Sequence, residues 1–258
     1  MKIAKVWLQG IAIFIVVFCM SILSAASQNQ ITDSCFGFYK WVYDNTIFPY
    51  RKTIITVDDM QQRPALVIYL HGGPKRGSDN TNQMTEEAIY IITDYLRRNR
   101  IHTIIIVPQC PDSLTWGVKT NEALKALIDE YVEKDKVDEN RIYLFGGSMG
   151  GTGTWLMTSA YPRLFAAVMP VAGNPETADA DLVAYTPVCT VMGSDDNLMT
   201  IPRVSTFVEK LQERSGKILF DIEHGWSHVK TCIDSYTDAR LDWIFGHKTP
   251  ESLIYKKI

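Results

Sequence analysis

The chain has 258 residues, 46% of them hydrophobic and 21% charged, and a net charge of −3. That balance excludes an intrinsically disordered or collagen-like chain. The charges are mixed along the sequence, and no basic cluster is interleaved with aromatic residues, which excludes a nucleic-acid-binding face.

The first 26 residues carry Lys2 and Lys5, then an apolar stretch over residues 6–23, then Ser24, Ala25 and Ala26. This order reads as an export signal cut after Ala26, and it places the mature protein outside the cell or in a periplasm with no stable membrane insertion. The competing reading is a retained anchor, because the stretch approaches the length that begins to span a bilayer. Residues 27–258 contain no repeat, low-complexity tract or linker and read as a single catalytic domain. Cys35, Cys110, Cys189 and Cys232 lie beyond the leader, and the sequence does not choose among their pairings. No two of them have metal-ligand spacing, so neither a metal nor another cofactor is expected.

Short apolar runs follow at residues 65–70, 103–107, 141–145, 166–171, 188–192 and 218–222, with an earlier edge strand at 53–57. Each is too short for a core helix and several are rich in Ile and Val, so they read as strands. Helical spacing appears between them, at Ala88, Ile91, Ile92, Tyr95 and Leu96 and again at Leu124, Leu127, Ile128, Tyr131 and Val132. Strand alternating with helix predicts an α/β fold, a mostly parallel central sheet with helices on both faces. The segment between residues 171 and 188 is too short to hold a lid domain. In such sheets, reactive groups collect in the loops beyond the carboxyl ends of the strands.

One of those loops reads Gly146-Gly147-Ser148-Met149-Gly150, the pattern G-x-S-x-G between a strand and a helix. A serine on so sharp a turn needs neighbours without side chains, and the turn lifts its hydroxyl above the sheet. The Lys-Ser/Thr ending of a phosphate-binding loop is missing, as is the acidic residue of a dinucleotide site. A serine hydroxyl becomes a nucleophile when a histidine takes its proton and a carboxylate fixes that histidine. In a sheet of this kind the order along the chain is nucleophile, acid, base, leaving His224, His228 and His247 as candidates. His228 is favoured because it sits in the loop beyond the last strand, whereas His224 directly follows that strand and His247 lies in the polar tail. The acid belongs after residues 188–192, where both Asp195 and Asp196 stand. The oxyanion formed on attack needs two N–H donors. Met149, next to the nucleophile, supplies one. The loop His71-Gly72-Gly73-Pro74 supplies the other, and because proline has no N–H the donor is Gly73.

These residues resemble the α/β-hydrolase superfamily, and within it the secreted esterases related to polyhydroxybutyrate depolymerases, feruloyl esterases and acetylxylan esterases, a group that includes proteins called predicted peptidases. The resemblance covers roughly residues 48–245. It rests on the stretch from Leu70 to Asn80, on Val107 to Pro111, on Val137 to Tyr143, on Gly147 to Gly151 with Thr154 and Trp155, and on Gly225 with His228. In such relatives the acid closes a His-Gly-x-x-Asp turn, which implies Asp196. Met192 stands in place of that turn's histidine, and Pro74 in place of a small residue. The resemblance also implies that Cys110 belongs to a strand-end motif rather than to a disulfide.

The expected activity is that of a serine carboxylic ester hydrolase acting through an acyl-enzyme. An exported, open-mouthed hydrolase suits a small-molecule or polysaccharide ester substrate, with Trp116 and Trp226 as candidates to stack on its rings. A peptidase of the same fold and a non-catalytic binding protein on this scaffold are the competing readings.

Overall fold

A computed structural model describes residues 31–57 and 62–250. The leader assigned to residues 1–26 lies outside the described residues. Among the described residues, no helix is long and apolar enough to cross a membrane.

Eight strands form one sheet: β1 (Gly37–Tyr43), β2 (Thr46–Ile55), β3 (Ala65–Leu70), β4 (Thr103–Pro108), β5 (Ile142–Gly147), β6 (Ala167–Val171), β7 (Val188–Gly193) and β8 (Ile218–Glu223). Their spatial order is β1-β2-β4-β3-β5-β6-β7-β8. The first two strands and the β2–β4 pair are antiparallel, and every pair from β4 to β8 is parallel. The strands β3, β4, β5 and β7 are buried at every position, which is why their sequences are continuously apolar rather than alternating.

The sequence placed one edge strand at residues 53–57. The structure instead has a hairpin, with β2 starting at Thr46 and β1 unanticipated. Its turn is Asp44-Asn45, both at positive φ (44° and 59°), the geometry of a tight hairpin whose twist suits the strands. β1 escaped notice because it is an edge strand with most positions exposed and no burial alternation.

The helices are α1 (Glu87–Arg98), α2 (Val118–Lys134), α3 (Met149–Ala160), α4 (Ala180–Val183), α5 (Ile201–Glu213), α6 (His228–Asp234) and α7 (Asp238–Phe245). They cover both faces in two groups: α2 packs on α3, α3 on α4 and α4 on α5, whereas α1 packs on α6 and α7. Strand residues alternate between these layers. Leu66, Ile68 and Leu70 of β3 join Leu127 and Trp155 in one core cluster, while Tyr69, pointing the other way, meets Tyr236 edge to face. The buried stripe of α1 is Ala88, Ile89, Ile92, Tyr95 and Leu96, with Ile89 in the place the spacing gave to Ile91.

Candidate active site

Ser148 follows β5 directly and precedes the first residue of α3. Its backbone has φ 58° and ψ −121°, a conformation that L residues avoid and that persists where the surroundings impose it. What imposes it is the approach of α3 to the sheet. A Cβ on Gly150 would lie 1.8 Å from the carbonyl oxygen of Leu70, and one on Gly146 would lie 2.3 Å from that of Gly150. These glycines let the helix start against the ends of β3 and β5, and the serine is turned outward as a result.

The Ser148 hydroxyl oxygen lies 2.8 Å from Nε2 of His228. His228 opens α6, beyond the end of β8. Its Nδ1 lies 2.7 Å from Oδ2 of Asp196, in the loop after β7. The carboxylate accepts there, so Nδ1 carries the proton and Nε2 presents a lone pair to the serine. The other carboxylate oxygen accepts from the backbone N–H groups of Leu198 (2.8 Å) and Met199 (2.9 Å), which fixes its direction. The Asp196 side chain is fully buried and that of His228 is 13% exposed. Asp195, the other loop candidate, is exposed and accepts from Ser194 Oγ. His224 is exposed, and His247 is tied to the Trp243 carbonyl.

The loop after β3 is held group by group. The carbonyl of His71 accepts from Trp116 Nε1 (2.9 Å). The N–H of Gly72 donates to Oε1 of Glu86 (3.1 Å). The His71 ring receives the backbone N–H of Cys110 on Nε2 (2.9 Å), so its proton is on Nδ1, which donates to the Gly72 carbonyl (2.7 Å). That carbonyl also accepts from the Lys75 N–H (3.1 Å). Burial lowers His71 to about 4, so the ring is neutral at neutral pH.

In the peptide joining Gly72 to Gly73, carbonyl and N–H point in opposite directions. Fixing the carbonyl therefore aims the Gly73 N–H the other way. This N–H has no acceptor among the described residues, and neither has that of Met149, which as the first residue of α3 has none within its helix. The two residues are neighbours, since a Cβ built on Gly73 would lie 4.0 Å from the Met149 Cβ. Two unpaired donors thus stand beside the serine.

One assignment from the sequence is corrected. Trp116 is 2% exposed, its N–H is used by His71 and its ring meets the His71 ring edge to face. It is a wall under the loop, with no free face for a substrate ring. Trp226 is half-buried, with the Lys230 ammonium 4.9 Å from its ring centroid.

Sequence reasoning missed the polar layer beneath the serine. Cys232, one turn after His228, has its sulfur 4.0 Å from Nε2 of that histidine. Burial pushes its thiol up to about 12, so it is a protonated neighbour and not a competing nucleophile. The helical i, i+4 spacing from His228 was the available signal. Glu86 carried none, because an acid just before a helix ordinarily reads as a solvated terminal residue. Among the described residues, Cys110, Cys189 and Cys232 form no disulfide.

A model of the prolyl oligopeptidase family matches residues 113–184, which include the serine turn. Poly(3-hydroxyalkanoate) depolymerase C of Paucimonas lemoignei is 32% identical over 65 residues, covering 25% of this chain and 16% of that protein. Acetylxylan esterase A of Emericella nidulans is 26% identical over 135 residues, covering 47% and 41% respectively. The chain spans less than half the length of these curated relatives. The crystal structure of a thermostable esterase superposes with a TM-score of 0.76 at 24% identity, covering 83% of this chain and 64% of that one. With the sheet order described above, this likeness shows that the chain has the α/β-hydrolase fold.

Proposed function

We propose that the protein is an exported serine hydrolase of carboxylic esters, with Ser148 as nucleophile, His228 as general base and acid, and Asp196 as the group that orients and stabilises His228. The observation that carries this reading is the unbroken hydrogen-bonded sequence Ser148–His228–Asp196, at 2.8 and 2.7 Å, beside two unpaired backbone N–H groups.

Ser148 Oγ attacks the ester carbonyl carbon while its proton passes to His228 Nε2. The carbonyl oxygen takes the negative charge and is met by the N–H groups of Gly73 and Met149, at the positive end of α3. His228 returns the proton to the leaving alcohol, and an acyl group remains on Ser148. Water, deprotonated by the same imidazole, then releases the acid and restores the serine.

The substrate class is a small or polymer-borne ester, such as an acylated polysaccharide. The acetylxylan esterase and polyester depolymerase relatives support that class, and we assign to Trp226, two residues before His228, contact with the alcohol portion. A second reading, cleavage of peptides, is favoured by the match to the prolyl oligopeptidase model. Amides have poorer leaving groups, and the site carries no feature that favours a peptide.

The test is a panel of chromogenic short-chain esters, acetylated and feruloylated oligosaccharides and peptide amides, run on the protein and on Ser148→Ala. The proposal expects turnover of esters by the parent alone. Turnover of the peptide amides in preference to every ester would replace it with the second reading.

A further inference from the structure

Glu86 occupies the position just before α1, where an acidic side chain ordinarily caps its own helix, yet it makes no capping hydrogen bond. It reaches instead to the oxyanion loop, 14 residues earlier. Oε1 accepts from the Gly72 N–H at 3.1 Å and Oε2 from the Tyr69 hydroxyl at 3.3 Å. A Cβ on Gly72 would meet the same Oε1 at 3.2 Å and the Ser148 Cβ at 3.6 Å. The carboxyl and the nucleophile thus both pack close to Gly72.

We propose that Glu86 is a positioning residue for the oxyanion site, holding the His71–Gly72 peptide so that the following N–H, on Gly73, faces the developing negative charge. This rests on the ester-hydrolase reading above. Of the four polar groups on the two peptides from His71 to Gly73, three are bound: the His71 carbonyl by Trp116, the Gly72 N–H by Glu86 and the Gly72 carbonyl by His71. Glu86 is the one of these anchors supplied from the start of α1; the others are the loop's own His71 ring and the Trp116 indole. Without it the first peptide plane can rotate about a glycine, the residue with the least resistance to rotation, and carry the second with it.

Burial raises the Glu86 carboxyl, while the hydrogen bonds from Gly72 and Tyr69, and then Lys75 nearby, pull in the other direction. The role described needs an acceptor and not a charge, so an amide of the same shape should serve. Its oxygen accepts from Gly72 and its NH2 group donates to Tyr69.

The test compares the parent, Glu86→Gln, Glu86→Ala and Ser148→Ala on a chromogenic acetate ester. It also measures inhibition by an alkyl boronic acid, which mimics the tetrahedral charged intermediate and whose inhibition constant does not depend on how much of a sample is active. Glu86→Gln is expected to stay within about threefold of the parent in kcat. Glu86→Ala is expected to lose kcat by about 10-fold to 100-fold with little change in KM, and to bind the boronic acid weaker by a similar factor. If Glu86→Ala keeps the parent's boronic acid affinity, or if Glu86→Gln is as impaired as Glu86→Ala, the positioning role is wrong while the esterase reading stands. If the parent is no more active than Ser148→Ala, the esterase reading fails and this inference fails with it.

Discussion

At the scale of single residues, the site depends on which nitrogen of each histidine holds the proton. His228 and His224 differ by four positions, yet only the first lies between a carboxylate and the serine. His228→Ala is expected to lower kcat on esters by about 10⁴-fold or more, and His224→Ala to leave it within about twofold, measured side by side. His71 makes a second, independent prediction. Its folded value of about 4 lies below the unfolded value near 6.5, so between these the unfolded chain binds the extra proton. Stability from this group is therefore complete above pH 6.5 and lost as pH falls through 4, by about 3 kcal/mol in all. Denaturant unfolding of the parent and of His71→Ala across that window should show the component in the parent alone. Ser148, His228, Gly73 and Met149 could be proposed from sequence because the chemistry assigned to them restricts such groups to a few residue types at loop positions, and the structure brings Ser148, His228 and Asp196 within hydrogen-bond distance. Trp116 was misjudged and Glu86 missed because a side chain's direction is set by tertiary packing. Neither spacing nor composition encodes that the indole N–H turns inward to the His71 carbonyl.

At the scale of elements, the tightest constraint is where α3 meets β3. A methyl group on Gly150 has no room beside the Leu70 carbonyl, which is backbone and cannot turn aside. Gly150→Ala is expected to destabilise the protein by at least about 3 kcal/mol, read from the shift in a denaturant midpoint, and to impair turnover as well because Ser148 moves with the turn. A normal midpoint would mean that the helix can shift without cost. The parallel strands were readable within a residue or two, and for β3 to β7 the reason is that strands buried on both faces must be continuously apolar. The antiparallel hairpin was half missed. β1 exposes Phe38, Lys40 and Val42, and its pattern satisfies no burial rule. Its signal lay in the Asp44-Asn45 turn.

At the scale of the whole molecule, the hairpin is not an ornament at the sheet edge. Arg51 of β2, 1% exposed, donates to the carbonyl oxygens of Phe36, Asp33 and Asn80, pairs with the Asp33 carboxylate and lies over the Phe38 ring. Asn80 in turn donates to the carbonyls of Tyr39 and Tyr50 and accepts from Gln83, so the segment between the oxyanion loop and α1 is laced to the first strands. The order of strands and helices made this architecture legible, whereas the buried polar lacing was not, because the bonds that Arg51 and Asn80 donate join residues 15 to 41 positions apart. Export belongs to this scale too. The leader reading predicts that protein recovered from outside the cytoplasm begins at Ser27, as intact mass would show. An intact Met1 in that fraction would replace the cleaved signal with a retained anchor.

The central claim is that Ser148 becomes acylated because His228 takes its proton. The most direct measurement is mass spectrometry of the protein quenched during turnover of a slowly released ester. The account predicts one acyl group on the peptide containing Ser148, absent in Ser148→Ala and strongly reduced in His228→Ala. Ester hydrolysis that proceeds with no such adduct, or undiminished in Ser148→Ala, would contradict it.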